Sequence, residues 1–298
     1  MILKYAAIDI GTNSVRYLLA EKTSKGILHI HTDIATTRLG EGLYAGDRKL
    51  RRKNMEQTAQ AVAAFVEHAN KNHCQKILCV ATSAVRDARN KEEFQRVLMT
   101  YSGISARIIT GKEEALAGYK GATIDCQGKD AVLVDIGGGS TEVITFSPEG
   151  VQSKSYQCGA VRLRELFAGD FASAKKYILQ TVPLCSYEGK QILWIGGTAS
   201  AAAMIYAGKR EYEDCCVHMK QLPREWIKNF TEECLKYSLE KLTEVCCFEP
   251  SRAEILPYGM LIMSHILSCF DAQYVTVSEK GLMDGVILLD DVEKTDCR

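Results

Sequence analysis

The densest chemistry in the chain lies between Val132 and Phe146, "VLVDIGGGSTEVITF". Asp135 closes an aliphatic run, three glycines follow, and Ser140, Thr141 and Glu142 precede the next apolar run. Glycines let backbone N–H groups approach an anion closely, and hydroxyls add further donors. Gly137, Gly138, Gly139, Ser140 and Thr141 therefore suit a phosphate cradle. A carboxylate beside a phosphate repels it, unless it holds Mg²⁺ or orients a water.

The pattern occurs twice. In "AAIDIGTNSVRYLL" an apolar run ends at Asp9, and Thr12, Asn13 and Ser14 take the places of the later glycines and serine. A third glycine turn, "WIGGTASAAA", brings Gly196, Gly197 and Thr198 between a strand and a helix. Such self-similarity predicts a duplicated domain: two α/β halves facing each other across a cleft, with their glycine turns meeting there. Asp9 has a second reading, as the cap of its own turn.

Cations are needed opposite such a cradle. Arg86 follows the apolar run "KILCVA" among hydroxyl residues, where a guanidinium can grip phosphate oxygens bidentately. Its alternative is a surface pair with Asp87. Arg16 and Arg252 are candidates of the same kind. "RKLRRK" (Arg48 to Lys53) either draws a polyanion in or is a solvated loop. Glu113 and Glu114 open a short helical pattern, where acids complement the helix dipole.

The elements that must carry these residues alternate between strand and helix, which makes the class α/β. Strand patterns cover "KYAAIDIG", a hairpin turning near Ser24-Lys25-Gly26, "KILCVA", "SARIIT", "AVLVDIG", a hairpin turning at Pro148-Glu149-Gly150, "QILWIG" and "QYVTVS". Helical periods cover Met55 to Asn70, Lys91 to Met99, "KEEALAGYKGA", Arg162 to Phe167, Ala172 to Val182, the segment after "IGGTAS", Arg224 to Tyr237, Pro257 to Ser268 and Gly281 to Asp291. The expected halves are residues 1–123 with 285–298, and 124–284, the closing helix packing back on the first.

Length and composition fit this organisation. The chain has 298 residues, 46% hydrophobic and 25% charged, with 37 Lys and Arg against 37 Asp and Glu. A balanced charge gives no footprint for nucleic acid. No run reaches membrane-spanning length, and the start lacks a signal-peptide pattern, so a cytoplasmic protein is expected. The twelve cysteines have no zinc spacing and read as reduced, packed thiols. Cys158 belongs with them, since no His or Asn stands near it in sequence. Of the six histidines only His218 is a site candidate.

The three turns resemble the phosphate and adenosine motifs of the actin/Hsp70/sugar-kinase superfamily. More narrowly, the chain resembles the exopolyphosphatase/guanosine-pentaphosphate phosphatase (Ppx/GppA) family. The matches run end to end: "AAIDIGTNSVR", "TRLGEGL", "ATSAVRDARN", "TGKEEALAGYKG", "DIGGGSTE", "CGAVRL", "IGGTAS" and "VSEKGLMDGVI". The resemblance implies two ribonuclease-H-like domains in the short form, without extra C-terminal helical domains. It implies a phosphoanhydride hydrolase acting on inorganic polyphosphate, with guanosine pentaphosphate (pppGpp) as the alternative substrate and Mg²⁺ as cofactor.

Residue by residue, the resemblance makes Glu114 the base, with Glu113 its rival. Asp135 and Glu142 serve the metal and water, with Asp9 a further metal candidate. Nucleic-acid and membrane partners are not expected, and a homodimer is among the expected assemblies. A sugar or acyl-phosphate kinase and a non-hydrolysing nucleotide sensor are the competing classes. The "TSAVRDARN" and "EEALAGYKG" elements argue against the first, and the presence of Glu114 argues against the second.

Overall fold

The computed structural model describes residues 2–24, 26–125, 131–147, 150–183, 190–211 and 216–290. The expected turn residues Lys25, Pro148 and Glu149, the helix end at Asp291, and Cys126, Cys185, Cys215 and Cys297 lie outside them.

From the N-terminus run β1 (Leu3–Ile10), β2 (Ser14–Thr23), β3 (Gly26–Thr36), α1 (Arg52–Lys71), β4 (Lys76–Ala81), α2 (Ser83–Asp87), α3 (Lys91–Ser102), β5 (Arg107–Ile108) and α4 (Gly111–Ala122). Then come β6 (Ala131–Ile136), β7 (Thr141–Ser147), β8 (Gly150–Tyr156), α5 (Ala160–Phe167), α6 (Phe171–Thr181), β9 (Gln191–Ile195) and α7 (Gly197–Tyr206). The chain continues through β10 (Lys220–Pro223), α8 (Arg224–Cys234), α9 (Leu239–Val245), α10 (Leu256–Leu267), β11 (Tyr274–Val277) and α11 (Leu282–Leu289). It divides into two compact units, Met1–Asp125 with Gly281–Arg298, and Cys126–Lys280.

In the first unit the sheet order is β3-β2-β1-β4-β5. Strand β1 pairs antiparallel with β2 and parallel with β4. Its side chains alternate between two cores, as strand geometry requires. Ala6, Ile8 and Ile10 pack with Met55, Ala59 and Val62 of α1 and with Phe94 and Leu98 of α3. Tyr5 and Ala7 pack with Leu18, Ala20, Ile27 and Ile287, so α11 closes the opposite face. Helices α4 and α11 touch backbone to backbone. A Cβ on Gly285 would lie 1.7 Å from the Ala117 carbonyl oxygen, and one on Gly121 would lie 1.9 Å from that of Gly281.

The second sheet has the order β10-β11-β9-β6-β7-β8. Read from β8, it repeats the first, with β10 added at the far edge. Strand β6 is antiparallel to β7 and parallel to β9, as β1 is to β2 and β4. Its Val132, Leu133 and Val134 are all buried, because helices α7 and α10 pack on it. The fold is therefore a duplicated, ribonuclease-H-like α/β architecture.

Several local expectations change. Arg86 lies in the short helix α2, not in a loop, because β4 passes straight into a turn closed by the Arg86 N–H on the Thr82 carbonyl at 3.0 Å. "SARIIT" pairs as a strand only at Arg107 and Ile108, since Thr110 already caps α4. Arg52 and Lys53 belong to the first turn of α1 rather than to a basic loop. The helix beginning at Arg224 ends at Cys234, short of Tyr237, and α9 and β10 come in addition.

Candidate functional site

In the second unit the glycine turn joins β6 to β7. The Gly137 N–H closes it on the Ser140 carbonyl at 3.0 Å. The turn's own carbonyls are taken up from behind by the start of α5. Gly137 O accepts from Ala160 N at 3.0 Å, and Gly138 O accepts from Arg162 N at 2.9 Å. Gly139 O accepts from Arg162 Nε at 2.7 Å. Among the described residues, the N–H groups of Gly138 and Gly139 donate to no backbone carbonyl. Such a set of donors suits an anion. The approach of α5 requires Gly159, whose Cβ would lie 2.5 Å from the Gly138 carbonyl carbon.

Asp135 and Glu142 stand opposite each other across the β6–β7 ladder. Glu142 is 1% exposed, and its Oε1 accepts from Ser155 Oγ at 2.6 Å. The third turn leans on this pair. Gly196 has φ +91°, and a Cβ there would lie 2.6 Å from Asp135 Oδ1. At Gly197 a Cβ would lie 2.3 Å from Arg252 Nη1. The Arg252 guanidinium is buried and held by Glu249, Nε to Oε2 at 2.8 Å and Nη2 to Oε1 at 2.9 Å. It props the turn from below while spending two of its donors on a carboxylate. Thr198 is buried against Gly259 of α10.

The first unit repeats the turn with different chemistry. Gly11 N donates to Ser14 O at 3.1 Å, matching the Gly137–Ser140 bond. Thr12 O accepts from Gly40 N at 2.9 Å, and Asn13 O accepts from Arg38 N at 2.8 Å, so "TRLGEGL" plays the part of "CGAVRL". The hydroxyls of Thr12 and Ser83 meet at 3.1 Å, and Asn13 Nδ2 donates to Ser14 Oγ at 3.2 Å. Asp9, however, stands opposite Arg16 where Asp135 stands opposite Glu142.

Helix α4 presents the two glutamates differently. Thr110 and Glu113 form a capping box: Thr110 N donates to Glu113 Oε2 at 2.7 Å, and Glu113 N donates to Thr110 Oγ1 at 3.2 Å. The Thr110 N–H and hydroxyl, with Arg107 beyond them, hold the Glu113 carboxyl below the usual carboxylate range. Glu114 is buried instead, and its Oε2 accepts from Arg86 Nη1 at 2.8 Å. Arg86 Nη1 also donates to the Ile109 carbonyl at 3.0 Å. Arg86 therefore pairs with the candidate base from across the first unit.

The basic run meets acids locally. Lys49 pairs with Asp47 at 3.2 Å, Arg51 with Glu41 at 3.3 Å and Arg52 with Glu56 at 2.7 Å. Cys158 is fully buried, and burial pushes its thiol up to about 12. His218 Nδ1 lies 3.4 Å from the Glu279 N–H.

Sequence reasoning missed the supporting residues Arg162, Ser155, Ser83 and Glu249. Arg162 and Ser83 lay within quoted motifs. Ser155 is tied to Glu142 only by strand register, and Glu249 only by an ion pair; no pattern in the sequence announces either.

The residues present fit a magnesium ion. Mg²⁺ takes one or two carboxylates and keeps waters and phosphate oxygens for its other positions. The opposed pair Asp135 and Glu142 offers that donor set. Among the described residues no cluster of three or more His, Cys, Asp or Glu suggests a richer metal cage. No helix of the described residues is long and apolar enough to cross a membrane.

A model of the Ppx/GppA phosphatase family matches residues 18–294. Exopolyphosphatase 2 of Mycobacterium tuberculosis is 27% identical over 318 residues, covering 96% of this chain and 98% of that one. The crystal structure of the Aquifex aeolicus Ppx/GppA family member superposes with a TM-score of 0.81 at 25% identity, covering 100% of both chains. An exopolyphosphatase from Cytophaga hutchinsonii superposes with a TM-score of 0.85 at 19% identity, covering 96% of this chain and 97% of that one, a likeness of fold.

Proposed function

Since the chain belongs to the Ppx/GppA phosphatase family and is a phosphoanhydride hydrolase, we propose that it is an exopolyphosphatase, releasing orthophosphate from the end of inorganic polyphosphate. The observation that carries the reading is the opposed pair Asp135 and Glu142 beside N–H groups left open by the Gly138-Gly139 turn.

The roles follow from chemistry. Glu114 accepts a proton from the attacking water, whose oxygen bonds to the terminal phosphorus as the bridging P–O bond breaks. Glu113 is committed to its cap, which supports Glu114 as the base. Gly138, Gly139, Ser140 and Thr141 hold the terminal phosphate, with Gly137 closing their turn. Thr12, Asn13 and Ser14 serve as a second phosphate contact. Arg86 orients Glu114, and Gly196, Gly197, Thr198 and Arg252 fix the backbone around Asp135. Asp135 and Glu142 would hold Mg²⁺, which when bound neutralises phosphate charge.

Hydrolysis of pppGpp is the second reading. The ion pairs of Lys49, Arg51 and Arg52 favour it, because they leave fewer open cations for a long polyanion. Purified protein given polyphosphate, pppGpp and ATP side by side decides between them by phosphate release. The proposal expects the highest kcat/KM on polyphosphate. A preference for pppGpp transfers the assignment to the second reading, and release from neither sinks both.

A further inference from the structure

We propose that Arg38 is a further substrate-binding residue: its guanidinium grips a non-reacting phosphate of the substrate chain beside the Thr12-Asn13 turn. The inference rests on the reading of that turn as a phosphate contact. Arg38 N donates to the Asn13 carbonyl at 2.8 Å, so the residue lies against the turn. The N–H groups of Thr12 and Asn13 donate to no backbone carbonyl among the described residues. Arg38 has φ +48°, a conformation uncommon outside glycine. Its carbonyl is held there by Glu41 N at 2.9 Å and Asn54 Nδ2 at 2.6 Å. A long cation kept in a strained turn beside open N–H groups fits a task in binding.

The duplication supplies an internal control. In the second unit an arginine also lies against the turn, with Arg162 N on the Gly138 carbonyl at 2.9 Å. That arginine is buried, and its guanidinium is spent on Gly139 O at 2.7 Å and on Gln157 Oε1 at 2.6 Å. Arg38 is exposed, and its side chain makes no hydrogen bond or ion pair among the described residues. The first arginine therefore keeps for a ligand the donors that the second gives to the fold. A guanidinium with open donors suits phosphate oxygens, which it can take two at a time.

The acid nearest to Arg38 in sequence is Glu41, and it is held elsewhere. Arg51 Nη1 pairs with Glu41 Oε1 at 3.3 Å, and Asn54 Nδ2 donates to Glu41 Oε2 at 3.3 Å. Gly42, at φ +76°, makes room for this, since a Cβ there would lie 2.6 Å from Arg51 Nη2. Arg51 thus acts through Glu41: by occupying that carboxylate it leaves the charge of Arg38 uncommitted. This gives one member of the basic run a positioning role without any contact to the substrate.

Calorimetric titration of the full chain with inorganic tripolyphosphate in a chelator reads binding without turnover. Arg38→Gln should weaken it roughly ten-fold, and Arg38→Lys by less, since the charge stays and the fork is lost. Arg38→Gly relieves the backbone, so it should weaken binding as Arg38→Gln does while Tm holds or rises. A merely structural residue would lose binding only together with stability. Arg51→Ala should weaken binding a few-fold, and adding Glu41→Gln should restore it. On polyphosphate with Mg²⁺, Arg38→Gln should raise KM and leave kcat within a few-fold. Unchanged tripolyphosphate affinity in Arg38→Gln and Arg38→Gly overturns the proposal, and failure of Glu41→Gln to rescue Arg51→Ala overturns the part given to Arg51. A wild type that does not bind tripolyphosphate overturns the proposal together with the phosphate reading of the turn. If the wild type hydrolyses neither polyphosphate nor pppGpp, the proposed activity fails, and the calorimetric series still decides Arg38 by the same criteria.

Discussion

Replacing Glu114 by Gln keeps the shape of the side chain and removes the base. The structure separates its two consequences. The amide oxygen can still accept from Arg86 Nη1, and Arg86 keeps its second bond to the Ile109 carbonyl, so the pair loosens without stranding the guanidinium. With the Arg86 and Glu114 side chains only 21% and 10% exposed, the stability cost should be about 1–3 kcal/mol. Loss of general-base catalysis is larger, about 10²–10⁴-fold in kcat, or roughly 3–5 kcal/mol. Initial phosphate release at saturating substrate should fall by that factor while the Kd for substrate stays near the wild type. Glu113→Gln is the matched control, because Gln also serves a capping box. It should leave kcat within a few-fold. Its stability effect has a definite pH sign. The folded Glu113 carboxyl is held low, first by the Thr110 backbone N–H. Its contribution is therefore present above the ordinary glutamate range and lost as pH falls through the lowered folded value. The Tm gap between wild type and Glu113→Gln should close in acid. A Glu114→Gln enzyme with near-normal kcat would refute the assignment of the base.

Gly196→Ala adds a methyl 2.6 Å from Asp135 Oδ1 at φ +91°, whereas Gly208→Ala at φ +66° meets nothing within 4 Å. Both should lose about 1–3 kcal/mol by thermal melting, but only Gly196→Ala should cut kcat. Gly285→Ala drives a methyl into the Ala117 carbonyl and should cost about 3 kcal/mol or more, read as a fall in Tm. Chelation should abolish phosphate release and added Mg²⁺ restore it; Asp135→Asn should raise the Mg²⁺ needed for half-maximal activity. Cys158→Ala should keep kcat within a few-fold, because a buried thiol pushed up to about 12 is no nucleophile.

What the sequence disclosed was whatever depends on local pattern. The alternation of strand and helix and the two Asp-Ile-Gly turns were visible as periodicity and repetition. So was the first turn of α4, because a Thr followed three residues later by Glu is itself a cap signal. What depends on register or tertiary contact was not visible. Arg86 was weighed between phosphate and Asp87, and its partner Glu114 comes from a helix later in the chain. The basic run from Arg48 to Lys53 looked like an open patch because Glu41 and Glu56, which neutralise Arg51 and Arg52, stand outside it in sequence. Arg252 looked like a free cation because its ion pair with Glu249 forms only once Pro250–Arg252 turns as a 3-10 helix.

The duplication carries one further step. Both copies build the same turn, closed by equivalent bonds, Gly11 to Ser14 and Gly137 to Ser140. Both strands place the residue after the turn opposite the aspartate before it. Only the identity of that residue differs. Asp9 stands opposite Arg16 in the ladder, an acid across from a base. Asp135 faces Glu142, two carboxylates on neighbouring strands that repel unless a proton or a cation lies between them. Ser155 Oγ donates to Glu142 at 2.6 Å and orients its carboxyl. Two opposed acids offer a divalent cation two ligands, whereas an acid opposite an arginine offers one. The repeat predicted two similar turns suited to anions; the register adds a candidate metal-bearing acid pair to the second of them only. That difference is why we assign Mg²⁺ to Asp135 and Glu142 and leave Asp9 to its turn.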